Sequence, residues 1–165
     1  MKKIAAFIFL CLAISLYTKA QTRKQVLQWV ASAINSYAWT DQYMPCRAAN
    51  GDDYAKRVQI MADTTLMEIT AKVQTSFMGG SSSYVEIKNS FSNLVSAEVC
   101  TRCLSCAGQA PIKLVFKKDT MKLLRLEGGA ATPDVIFLFL QWDGEADLED
   151  KMVKALNQLT DGAKP

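Results

Sequence analysis

The sequence predicts an α+β fold: an N-terminal helix, six or seven antiparallel strands forming a curved sheet or barrel, and a C-terminal capping helix. Three observations predict it. Residues 22–38 carry apolar side chains at helical spacing, residues 58–142 switch to strand-like alternation and short apolar runs, and residues 146–162 return to helical spacing. Strands grouped between helices argue against the regular alternation of a parallel α/β sheet.

The first helix is built on Val26, Leu27, Val30, Ala33, Ile34 and Tyr37, one face of a 3.6-residue repeat. Thr22 and Gln25 fit a capping box at its start. Residues 39–54, with Pro45, Asn50 and Gly51, read as an irregular connection. Met67, Ile69, Ala71 and Val73 alternate with Glu68, Thr70 and Lys72 as in a half-buried strand. Gly79-Gly80 and three serines make a turn into a strand at Tyr84–Lys88, and Leu94–Val99 forms the next strand. Ile112–Lys118 and Lys122–Gly128 read as a hairpin turning at Asp119 and Thr120. The apolar run VIFLFLQW, residues 135–142, suits a central strand covered on both faces. In the last helix Leu148, Met152, Ala155, Leu156 and Leu159 share a face, acidic residues crowd the first turn, and Gly162 supplies the stop.

This order of strands, ending in an apolar strand, an acidic turn and DLEDKMVKALNQL, resembles the end of a pleckstrin-homology-like (PH-like) domain. It resembles in particular small exported bacterial proteins with a signal peptide, a first helix and a β-rich body. The matching residues are Glu149, Lys151, Met152, Val153, Lys154, Ala155, Leu156 and Leu159. The resemblance implies a non-enzymatic scaffold for lipids, peptides or proteins. The phosphoinositide site of lipid-binding relatives uses basic residues in an early hairpin. Here that region ends at GGSSS, and that activity is not carried over.

Residues 1–20 have the layout of a secretory signal peptide: Lys2 and Lys3, an apolar run from Ile4 to Leu16, then Thr18 and small Ala20. Cys11 lies inside the run behind bulky Phe9 and Leu10 and belongs to the discarded segment. Residues 21–165 then form a single domain, periplasmic, cell-surface or extracellular, with no transmembrane segment in the mature chain. Cleavage near Ala20 removes three lysines, so that 19 basic against 16 acidic side chains become 16 against 16. A neutral mature chain gives no warrant for a nucleic-acid partner. The local clusters, Lys113, Lys117, Lys118, Lys122 and Arg125, then Asp143, Glu145, Asp147, Glu149 and Asp150, read as a solvated hairpin and a helix start.

The chain contains no histidine, which removes histidine-activated nucleophiles and the HExxH zinc site. Asp52 and Asp53 follow Asn50-Gly51 as a turn. Asp143, Glu145 and Asp147 begin like a calcium loop, but Leu148 replaces its glycine and Lys154 its bidentate glutamate. Gly79-Gly80 and Gly128-Gly129 match no phosphate loop. Trp29, Trp39, Tyr43, Tyr54 and Trp142 are candidates for a ligand wall, but are read first as core.

Four cysteines survive cleavage: Cys46, Cys100, Cys103 and Cys106. In an exported chain an even number favours disulfides, with three possible pairings. The expected arrangement joins Cys46 to Cys100 across about 54 residues, a stabilisation of roughly 4 kcal/mol, and Cys103 to Cys106. The functional expectation is a secreted or periplasmic, non-catalytic binding domain. No catalytic, cofactor-binding or metal-binding residue is assigned, and its partner is an unknown protein, peptide or small ligand. The alternatives are a thiol-disulfide oxidoreductase using Cys103 and Cys106, or a zinc module using all four cysteines.

Overall fold

The computed structural model describes residues 23–38, 43–47, 53–77, 80–101, 103, 105–106, 110–128, 133–141 and 147–160. The signal-peptide, Thr22 cap and Gly162 stop expectations lie outside these residues, as do Asp143 and Glu145. Helix α1 covers residues 23–37 and buries Leu27, Val30, Ala33 and Ile34, on the face that the periodicity marked, with Ala31 buried as well. Helix α2, Leu148–Thr160, buries Leu148, Met152, Leu156 and Leu159. Glu149 and Asp150 stand in its first turn, where carboxylates complement the helix dipole. The ends of the helices meet: the Arg23 guanidinium donates to the Leu159 carbonyl at 3.1 Å.

Between them run β1 (Tyr43–Arg47), β2 (Asp53–Asp63), β3 (Glu68–Phe77), β4 (Ser82–Ser90), β5 (Leu94–Val99), the two-residue β6 (Ser105–Cys106), β7 (Ile112–Phe116), β8 (Lys122–Glu127) and β9 (Val135–Leu138). They form two antiparallel sheets, ordered β6-β1-β2-β3-β4-β8 and β5-β7-β9, and the described pairings do not close into a barrel. The expected count of six or seven strands falls short because β1 and the first half of β2 lie within or beside the segment read as irregular. Pro45 sits inside β1 and did not break it.

Two further expectations are corrected. The segments at 112–118 and 122–128 are not a hairpin. The chain turns at Asp119, in left-handed backbone at φ 60°, but β7 joins the smaller sheet and β8 pairs with β4 in the larger one. The run at 135–142 does not supply a central strand either. Its β9 is an outer strand of the smaller sheet, covered by packing of Phe139 and Leu140 and by the bridge from Leu140 to Ala38.

Each helix is pinned to a strand by one asparagine. The Asn35 side chain accepts from the Ala62 amide and donates to the Ala62 carbonyl, both at 3.0 Å. Asn157 does the same for Ala97, both at 2.9 Å. Ala62 lies beyond the residues of β2 that β1 pairs, and Ala97 lies on the outer strand of the smaller sheet. The two amides thus act as surrogate strands on backbone that would otherwise lack partners. Asn157→Leu is expected to destabilise by about 2 kcal/mol, since it strands a partly buried donor and acceptor together. Hydrogen exchange checks it, with the Ala97 amide losing protection before its neighbours.

Candidate functional site

Strict antiparallel register builds the site. Across β2, β3 and β4 the inward residues stack in rows: Lys56 opposite Thr75 opposite Ser83, then Val58, Val73 and Val85, then Ile60, Ala71 and Ile87. Directly paired residues project from the same face of a sheet, so each row is continuous. The third row is closed, with Ile60, Ala71 and Ile87 each at most 2% exposed. The first row, by contrast, is only half-buried. Along these rows runs a slot of about 190 Å³, lined from the other side by Val135, Phe137 and Phe139.

The first row is polar at the mouth of an apolar slot. Lys56 ion-pairs with no carboxylate among the described residues; its ammonium lies 5.6 Å from the Tyr54 ring centroid. Burial pushes its pKa below the ordinary 10.5, because the charged form loses solvation. The lysines of the outer face differ: Lys88 meets Glu68 at 2.6 Å and Lys72 meets Glu86 at 3.9 Å. The Thr75 and Ser83 hydroxyls likewise have no hydrogen-bond partner among the described residues. Tyr54 and Phe77 form the next cross-strand pair beyond the first row, their centroids 6.1 Å apart, and Phe77 is 49% exposed. Gly128 holds β8 against the same end: at φ 72° it faces the Ser82 carbonyl and Ser83 Cα so closely that a Cβ there would lie 2.9 Å from that Cα.

A broader groove beside Asn35, Gln59 and Asp63 makes a weaker site. Its polar groups serve the fold, Asn35 holding Ala62 and the Asp63 carboxylate accepting from the Thr65 and Leu66 amides at 2.7 and 2.9 Å.

The cysteines pair differently from the expectation. Cys46 bonds Cys106, directly opposite in the β1–β6 register with Cα atoms 4.0 Å apart, and Cys100 bonds Cys103. The first bridge is buried and lies in the same cross-strand row as Tyr54, so it fixes the wall beside the slot mouth. The expected Cys46–Cys100 and Cys103–Cys106 links fail because Cys100 lies at the end of β5. There its backbone amide is held by the Pro111 carbonyl at 2.9 Å. The chain then travels to the other sheet before Cys106 reaches β1. Cys103 and Cys106 belong to different bridges, and paired cysteines are not the thiolates that a zinc site requires.

The aromatic candidates divide. Trp29 and Tyr43 are 40% and 50% exposed and not core as expected, Tyr54 is partly buried against the core beside Lys56, and Trp39 and Trp142 lie outside the described residues. The residues that sequence reasoning missed are Lys56, Thr75 and Ser83. Their signal was present in β2, where the alternation Tyr54, Lys56, Val58, Ile60, Ala62 places a lysine in an inward apolar stripe. Comparison with known proteins adds no assignment, since no family model, curated protein or solved structure matches the chain.

Proposed function

We propose that the protein is an exported, non-catalytic binding domain that takes a small ligand into the slot between its sheets. One observation carries the reading: among the described residues, a partly buried ammonium that meets an aromatic ring but no carboxylate, and two hydroxyls without hydrogen-bond partners, stand at the mouth of an apolar slot. Folding does not favour such an arrangement by itself, because desolvation of a charge with no counter-charge opposes it. Export is supported by the pattern of residues 1–20 and by the two disulfides. Among the described residues no helix is long and apolar enough to cross a membrane. A PH-like kinship is part of the same proposal, supported by the antiparallel body and by α2 packed along β5.

Two variants test the reading. Lys56→Met keeps the apolar stem, removes the desolvated charge and is expected to stabilise the unliganded protein by about 1 kcal/mol, as at other sites kept for function. That is a rise of about 3 °C in the melting midpoint; a fall would make Lys56 a structural residue. Val85→Phe fills the slot. In a thermal-shift screen of small molecules it should lose the stabilisation that the parent protein shows, whereas an unchanged response would remove the slot from the function.

A further inference from the structure

We infer that the slot takes a short-chain amphipathic carboxylate, with its head group on Lys56, Thr75 and Ser83 and its alkyl chain along Val58, Val73 and Val85. The inference rests on reading the slot as a binding site and names what the site recognises. The composition of the rows decides the head group. One ammonium and two hydroxyls supply donors, no acidic side chain among the described residues lines the slot, and an ionised carboxylate is an acceptor-only group with about four lone-pair sites. A neutral alcohol would leave the ammonium uncompensated, whereas a carboxylate makes charge-assisted bonds to it. A cationic ligand would meet Lys56 as a like charge.

The rows behind the mouth decide the tail. From Lys56 to Ile60 the sheet advances four residues, about 13 Å at the usual strand rise, and the inward side chains of the two rows behind the first are apolar. The slot volume of about 190 Å³ equals that of about six water molecules. Volume rather than depth therefore limits the chain, to roughly six to eight carbons. Val135, Phe137 and Phe139 close over it from the smaller sheet, so a ligand would touch both sheets. Ligand binding should consequently stiffen the pairing of the sheets at the end where the core is open.

The experiment uses the purified, disulfide-bonded protein with sodium butanoate, hexanoate, octanoate and dodecanoate and with 1-octanol, each below its aggregation threshold. Binding is read by calorimetry and by methyl NMR. Octanoate is expected to bind at least tenfold more tightly than 1-octanol and to shift the methyl signals of Val58, Val73 and Val85. Affinity should climb about fourfold per methylene from butanoate to hexanoate and level off by octanoate. Lys56→Met should bring octanoate down to the affinity of 1-octanol and leave 1-octanol unchanged, which also shows that the variant is folded. Equal binding of octanoate and 1-octanol by the parent protein overturns the head-group assignment while leaving the slot a binding site. An increment that continues to dodecanoate overturns the assigned length. No valine shift with any of these ligands overturns the carboxylate assignment, while the Val85→Phe screen judges the binding reading separately.

Discussion

Replacing Cys46 and Cys106 together by alanine is expected to lower the free energy of unfolding by about 4 kcal/mol, and replacing Cys100 and Cys103 by only about 1.5 kcal/mol. The difference follows from loop length. The first bridge closes a separation of 60 residues and the second a separation of 3, and the entropy removed from the unfolded chain grows with the logarithm of that number. Strand β6 sharpens the contrast, because among the described residues its two residues pair only with β1, and its Cys106 carries the bridge. Without the bridge this segment has little to hold it to the sheet, and the wall beside Tyr54 and Lys56 loosens with it. Urea unfolding of the two double variants checks the prediction. Equal losses would show that native contacts around the bridges, not closure of the long loop, set their contribution. In a domain of ordinary stability, about 5 to 15 kcal/mol, loss of the long bridge removes about a quarter or more of the total. An oxidising compartment therefore suits this chain on energetic grounds.

Phe91→Ala is expected to cost about 4 kcal/mol, within the range for deleting a fully buried phenyl group. Phe91 is 1% exposed and occupies the 3-10 turn Phe91–Asn93 between β4 and β5, where the chain leaves the larger sheet for the smaller. Its amide donates to the Met67 carbonyl at 2.9 Å, while Ser90 caps the turn through the Ser92 amide. Buried Asn89 adds a network there, accepting from Asn93 at 3.0 Å and donating to Thr120 at 3.1 Å. These bonds position the ring at a crossing of both sheets and α2, so a cavity there cannot collapse by moving one element. Phe91→Leu should cost clearly less, since it leaves a smaller cavity. Equal losses for the two variants would place the effect in the backbone turn instead of the ring.

Both helices were legible in the sequence because a helix face is a local property. Leu148, Met152, Leu156 and Leu159 lie on one side of α2 whatever they pack against. The hairpin of β3 and β4 was legible for a similar reason, since its turn residues lie between its strands. Pairing across long separations was not. Nothing in Ile112–Phe116 or Lys122–Glu127 states that these neighbours join different sheets, because alternation specifies which side chains point inward and not which edge is met. The cysteine partners were hidden by the same limit. Spacing places Cys103 near Cys106, but partner choice depends on register, and the β1–β6 register puts Cys106 against Cys46.

The site shows the division most clearly. The sequence by itself determined the strand-like alternation that follows Val58, but its irregular reading of residues 39–54 hid that β2 begins at Asp53 and so places Lys56 on one face with Tyr54, Val58 and Ile60. Only the tertiary structure decided that Thr75 and Ser83 complete its row, that the three valines lie behind it, and that the smaller sheet stands off far enough to leave a slot. Rows across a sheet are made by register between strands, and register is settled by the packing of the whole core rather than by any one strand.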